Sequence, residues 1–164
     1  MGPLGHTVAS LGIGGAVWAA TGSALAVPAA AAGGVLVDSD HLVDFFNWYV
    51  RKDRRRVMVL FHGWEYAAVG LALVLGLWYH PALLAVALGY LGHVVGDHIA
   101  NKPLHPLAYS ILFRASRGFH RRGLFEESAE SLSEALHQSI PLWGVLELRL
   151  LAVASWLGLR RSVQ

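Results

Sequence analysis

The sequence predicts an all-α fold: an integral membrane helical bundle of two helical hairpins, followed by an interfacial segment and C-terminal helices. Three observations predict it. Hydrophobic residues make up 55% of the chain and charged residues only 15%, where soluble domains carry about a quarter charged. Two uncharged runs, Thr7–Val37 and Tyr66–Gly96, each extend over thirty-one residues. That is too long for one comfortable span of roughly 20 residues and short for two full ones. Each run also carries a turn signal near its middle, Thr21-Gly22-Ser23 in the first and His80-Pro81 in the second. The 164 residues fit a single domain, 1–164, with hairpins over 1–100 and the remainder over 101–164.

In chain order, the first hairpin is interrupted by Pro28 and six glycines and its second arm is short, so it is either re-entrant or sheltered by the other helices. Ala24-Leu25-Ala26 would suit signal cleavage, but no Lys or Arg precedes the apolar run. Gly2 would suit myristoylation, but position 6 is His rather than Ser or Thr. The second hairpin gives the better spans, Val57–Tyr79 and Pro81–Ile99, divided where Pro81 turns His80 away from helical dihedrals. Pro103–Phe125 mixes aromatics with Arg114, Arg117, Arg121 and Arg122, as an interfacial amphipathic segment does. Glu126–His137 is acidic on one side, with Phe125, Ala129, Leu132 and Leu136 at helical spacing on the other. Ile140–Leu159 is apolar enough to span but contains Glu147 and Arg149, and its topology stays open. The two hairpins read as a weak structural duplication.

Composition excludes several chemistries. The chain has no cysteine, which removes disulfide scaffolds, thiolate zinc sites and cysteine nucleophiles. Net charge is only +2, but ten of the thirteen Lys and Arg fall within 51–56 and 102–122. Beside apolar runs, such strips mark a cytoplasmic membrane face rather than a nucleic-acid surface.

The nine histidines are unexpected in so apolar a chain, and their positions are informative. His6 precedes the first run, and Asp38, Asp40 and His41 follow it. His62 and Glu65 precede the second, while His93 and Asp97 lie at its end. Counted from the turns at about 1.5 Å per residue, all four groups reach a similar depth, roughly 20–27 Å away. Folding as hairpins therefore gathers them on one membrane face, whereas a single straight helix would part His6 from Asp38 by about 45 Å. Arg51–Arg56 and Lys102–Arg122 flank the same helix ends, which makes that face cytoplasmic and places the chain in an inner membrane as a multi-pass protein.

Local spacing points to metal. His93 and Asp97 are four apart and His62 and Glu65 three apart, so each pair shares a helix face. Facing helices assemble metal centres in this way. Asp38-x-Asp40 can put one carboxylate on a metal while the other binds a second ion or orients a histidine. Imidazole and carboxylate without thiolate suit zinc, manganese or iron, and the donor count permits one or two ions. The candidate metal set is His6, Asp38, Asp40, His62, Glu65, His93 and Asp97, with Asp40 or Glu65 as general base. Bland readings compete: His80, His105, His120 and His137 read as ordinary polar residues, His41 and His98 are undecided, and Asp38 or Asp40 alone would pass for a helix cap. Seven candidates at one depth are poorly explained by separate accidents.

These residues resemble the inner-membrane-associated, metal-dependent hydrolases of the YdjM-like group, which are distantly similar to bacterial zinc-dependent phospholipases C. The resemblance covers about residues 5–120. It is carried by Gly5-His6-Thr7, Val37-Asp38-Ser39-Asp40-His41, His62-Gly63-Trp64-Glu65, Gly89-Tyr90-Leu91-Gly92-His93 through Asp97, and Asn101–Pro106. Val37 stands where the group usually has proline, and Glu65 where it often has a second histidine. Membership implies a hydrolase.

The function expected from the sequence is a membrane-bound, metal-dependent phosphoesterase acting on a lipid or lipid-linked headgroup at the cytoplasmic surface. Arg51, Arg55, Lys102 and Arg114 would neutralise phosphate oxygens. The rival is a membrane metal-binding or transport protein without hydrolysis, although transport sites tend to lie nearer the bilayer midplane. A docking scaffold and a soluble, membrane-associated helical protein are further alternatives.

Overall fold

The protein is described by a computed structural model over residues 1–53, 55–125 and 143–157. The expected acidic face of 126–137, and both ends of the expected span 140–159, lie outside the described residues. The described chain is all-helical, with one isolated antiparallel bridge between Arg56 and His120.

Helix α1 (Pro3–Thr21) opens on Pro3, whose fixed φ and missing N–H suit a first turn. It stops at Gly22, which takes φ 71° and returns its N–H to the Trp18 carbonyl at 2.7 Å. A four-residue link, Gly22 to Leu25, leads to α2 (Ala26–Val35), and Pro28 is tolerated because it falls in the first turn. The expected first hairpin is thus formed, with its turn where the sequence places it. A 3-10 turn (Leu36–Asp40), a short helix α3 (His41–Phe45) and a π turn (Phe46–Val50) follow.

Helix α4 (Trp64–Gly76) starts seven residues later than the sequence suggests. Residues 57–63 are not helical because their polar backbone is committed elsewhere. The Met58 N–H donates to Asp44 at 2.7 Å, the Phe61 N–H to Asp40 at 2.6 Å, and the Val57 N–H to the Phe119 carbonyl at 3.0 Å. Helix α5 (Pro81–Asn101) has Pro81 at its first position and the His80 ring capping the Ala82 N–H at 3.2 Å. It is the one helix among the described residues long and apolar enough to cross a membrane; α4 is a shorter apolar helix. The expected amphipathic stretch 103–125 is helical only over α6 (Ile111–Ser116), capped by the Ser110 hydroxyl; the rest is turns. Helix α7 covers Trp143–Trp156.

Packing is between small residues. The buried faces are His6, Ser10, Gly14 and Val17 on α1, Ala26, Ala30 and Gly34 on α2, and Ala85, Ala87, Gly89, His93, Val94, Gly96 and Asp97 on α5. Helices α2 and α5 touch backbone to backbone. A Cβ added at Gly33 would lie 2.3 Å from the Val86 carbonyl oxygen, and one at Gly89 would lie 2.3 Å from that of Ala30. The large side chains Leu4, Leu25, Leu75, Leu77, Trp78 and Leu83 point outward. This close α1–α2–α5 contact delivers His6, Asp38, His93 and Asp97 to one place.

Candidate metal centre

Each donor reaches the cluster for a local reason. His93 and Asp97 sit one turn apart on the buried stripe of α5, and His6 faces them from the first turns of α1. The 3-10 turn after α2 presents Asp38, and the extended stretch before α4 presents His62. The rings of His6 and His93 stack with centroids 3.8 Å apart. Asp97 Oδ1 lies 2.9 Å from His6 Nε2 and also receives the Met1 amine. Asp97 Oδ2 is 3.5 Å from His62 Nε2 and 3.7 Å from His93 Nε2. Asp38 Oδ1 is 3.5 Å from both those nitrogens and 3.4 Å from His41 Nε2. His6, His62, His93 and Asp97 are almost fully buried.

Outer contacts fix how the two central rings present themselves. His93 Nδ1 lies 2.7 Å from the Gly34 carbonyl, which can only accept, so that nitrogen carries the hydrogen. His62 Nδ1 lies 3.2 Å from Asp40 Oδ1 and 3.3 Å from Oδ2, which assigns its hydrogen in the same way. Both Nε2 atoms therefore aim inward, 2.9 Å apart. Two bare nitrogen lone pairs at that distance repel unless a proton or a cation stands with them. Burial opposes charge on His62, yet hydrogen bonds to Asp38, Asp40 and Asp97 outweigh it and push its pKa up to about 10. Burial likewise favours the neutral form of Asp38, but hydrogen bonds from His41 and His62 hold it well below the usual carboxylate range. The centre thus holds ionised carboxylates, with the Met1 amine on Asp97 and a proton on His62 as their positive partners.

That donor set can hold a metal ion. His6, Asp38, His93 and Asp97 form one group of four, and Asp38, His41, His62 and Asp97 a second, with ligand atoms in each within 4.8 Å of one another. The two groups share both carboxylates. His6 Nδ1 is buried with no hydrogen-bond partner among the described residues, and every donor is nitrogen or oxygen. Imidazole held by a carboxylate or carbonyl on its far nitrogen is the usual outer support of a metal-binding histidine.

The structure brings His6, Asp38, His62, His93 and Asp97 together and gives the other sequence candidates different tasks. Asp40 stands behind His62, with Oδ2 taking the Phe61 N–H at 2.6 Å; it orients a donor and lies outside both groups of candidate ligands. Glu65 turns away from the cluster. Its carboxylate accepts from the Ser110 hydroxyl and from the N–H groups of Ile111 (3.0 Å) and Leu112 (3.2 Å), anchoring the start of α6. Arg114 is fully buried and donates to the Val59 carbonyl at 2.5 Å and to that of His62, so it has no free fork for a phosphate. The Arg51 guanidinium lies 5.8 Å from the Phe46 ring centroid. Arg55 and Lys102 are exposed, and Lys102 ends α5 in the left-handed region at φ 41°.

Three participants escaped sequence reasoning or were left undecided by it. His41 joins the second group; its spacing of three from Asp38 was the available signal. Asp44, fully buried, holds the Met58 N–H, and burial pushes its pKa up to about 6. Tyr90 ties its hydroxyl to the Phe61 and Gly63 carbonyls at 2.6 and 2.9 Å, fixing the His62 stretch from the other side. No local pattern announces either of the last two. Comparison with protein-family models, with curated proteins and with solved structures finds no match.

Proposed function

We propose that this chain is a multi-pass membrane protein whose metal centre hydrolyses a phosphoester on a lipid or lipid-linked headgroup, at the cytoplasmic bilayer surface. The observation that carries the reading is the pair His62 and His93, each fixed by an acceptor on Nδ1 and presenting Nε2 to a pair of carboxylates. Membrane placement is supported by the contact of α1, α2 and α5 through Ser10, Gly14, Ala26, Ala30, Gly34, Ala85 and Gly89, as helices associate in lipid, and by the exposed Leu4, Leu25, Leu77, Trp78 and Leu83. The YdjM-like resemblance of residues 5–120 points to the same class of activity.

His6, Asp38, His41, His62, His93 and Asp97 would hold the metal, one ion or two; the donors suit zinc first and manganese or iron next. When bound, such an ion supplies water ionised near neutral pH and stabilises charge on the attacked centre. The chain's own residues supply the rest. The mouth of the site is at Asp38 and His41, whose side chains are 20% and 32% exposed while the other donors are sealed. Substrate therefore approaches there. The exposed Arg51, Arg55 and Lys102 hold the mouth against an anionic lipid surface.

The test is to purify the chain in detergent without added metal, then compare metal content and phosphoester turnover of wild type, His93→Ala and the His62→Ala/Asp97→Ala pair at equal helicity. The expected result is one or two equivalents of metal in the wild type, none in the double variant, and loss of turnover in both variants. Metal flux into liposomes without turnover would replace the hydrolase with a transporter. Extraction by carbonate without detergent would overturn the membrane reading.

A further inference from the structure

Beside the metal centre lies an open apolar cleft of about 550 Å³, lined by Ala32, Gly33, Leu36, Val37, Ser39, Phe61, Tyr66 and Tyr90. That is ample for a small-molecule ligand. Its lining carries no charge. Of its hydroxyls, that of Tyr90 is already spent on the Phe61 and Gly63 backbone. A phosphate or sugar would find almost nothing to bind, whereas a hydrocarbon chain asks for no hydrogen bonds and matches the apolar lining.

The position of the cleft is as informative as its lining. Val37 and Ser39 flank Asp38 in the chain, Phe61 adjoins His62, and Tyr90 stands three residues before His93 on α5. Its rim is Leu36, Phe61 and Tyr66, which are 67%, 51% and 49% exposed. The cleft therefore runs from the wall of the metal centre to an outward-facing apolar edge. The room exists because α2 and α5 meet through Gly33 and because residue 32 is only alanine.

The geometry points to this cleft as the seat of one hydrocarbon chain of a membrane lipid, entering sideways past Leu36 and Tyr66 and holding the lipid's polar end at Asp38 and His41. This rests on the hydrolase reading above and narrows it: the substrate is a lipid bound by its tail, and a free water-soluble phosphoester binds more weakly.

The test uses the full chain in nanodiscs containing a phosphatidylglycerol whose acyl chain carries a photoreactive diazirine, with labelled residues mapped by mass spectrometry. Labelling is expected at Leu36, Phe61 and Tyr66. It should fall at least tenfold in Ala32→Trp, which fills the cleft, and in Leu36→Lys, which puts charge on its rim. Labelling of the outward-facing Leu77 and Trp78 is the internal reference and should not change. Labelling in the cleft that matches wild type in both variants, or that is no higher than at Leu77 and Trp78, overturns the proposal. Bound metal is measured on the same samples. Wild-type metal without cleft labelling removes the lipid seat and leaves the hydrolase reading standing, whereas cleft labelling without metal does the reverse.

Discussion

Replacing Asp40 with asparagine tests the centre at the point where a single proton decides it. The Asp40 carboxylate is buried, 5% exposed, with Oδ2 on the Phe61 N–H at 2.6 Å and both oxygens within 3.3 Å of His62 Nδ1. Oδ2 meets both the Phe61 N–H and His62 Nδ1, while Oδ1 stands 3.2 Å from Nδ1, and asparagine puts an amide N–H₂ in one of these two places. The Phe61 N–H cannot turn away, so the amide oxygen stays there and the amide N–H₂ faces His62. Two donors cannot meet, so Nδ1 gives up its hydrogen and Nε2 carries the one that remains. That hydrogen then points at His93 Nε2, 2.9 Å away, and makes a satisfied bond. The fold is kept while one nitrogen donor is lost to the metal. Loss of such an outer carboxylate typically costs 10–100-fold in affinity, or about 1.4–2.8 kcal/mol. Zinc affinity would be measured by competition with a chromophoric chelator, and the tautomer by ¹⁵N chemical shifts of labelled histidine. Asp44→Asn is the matched control: the same swap on a buried carboxylate that holds a backbone N–H, with no histidine among the described residues hydrogen-bonded to it. Zinc affinity within twofold of wild type in Asp40→Asn, or an equal loss in Asp44→Asn, would refute the assignment of Asp40 as the orienting residue.

Four further outcomes follow from the same geometry. Glu65→Gln should leave bound metal unchanged and lower thermal stability, because its carboxylate anchors α6 and not a cation; loss of metal would return Glu65 to the centre. Arg114→Lys should destabilise by about 2–3 kcal/mol, since one ammonium cannot serve both the Val59 and His62 carbonyls in a buried site; an unchanged melting midpoint would contradict this. Asp44 sets a pH dependence. Its folded pKa of about 6 exceeds the ordinary aspartate value of 3.8, so its contribution is complete below pH 3.8 and is lost as pH rises through 6. Asp44→Asn should match wild type near pH 4 and exceed it by up to about 3 kcal/mol at pH 8 in denaturant unfolding; parallel curves would exclude the effect. Gly89→Ala forces a methyl group against the Ala30 backbone carbonyl, and separation of α2 and α5 should cost about 1–3 kcal/mol, read as a lower melting temperature.

What the sequence discloses is governed by range. The first hairpin is legible because Pro3, Gly22 and Pro28 act on their own turns of chain, and His80-Pro81 sets the start of α5 in the same way. Equal depth from those turns then brings His6, Asp38, His93 and Asp97 to one level, and the stretch before α4 adds His62. Glu65 shares that depth and spacing and still leaves the group. Its destination is set by the Ser110 hydroxyl and the bare N–H groups of α6, some 45 residues away. Residues 57–63 fail as helix for a related reason: Asp40, Asp44 and Phe119 claim their N–H groups across the fold. Arg114 looks like a surface cation in a basic strip, and only the two carbonyls it meets reveal a buried brace.

These long-range contacts share one beneficiary. Asp40 holds the His62 ring and the Phe61 N–H, Tyr90 holds the carbonyls of Phe61 and Gly63, and Arg114 holds those of Val59 and His62. His93, on a continuous helix, needs only the Gly34 carbonyl for the same purpose. A donor carried on an irregular stretch has no helix to fix its direction, and the chain has replaced that helix with three polar braces, of which Asp40 and Arg114 are buried. Burying an arginine and an aspartate is costly unless their hydrogen bonds are made. A histidine serving only as packing would not require that outlay, because an apolar side chain would fill the space more cheaply. The braces are intelligible when the orientation of His62 Nε2 matters, which is what a metal centre demands.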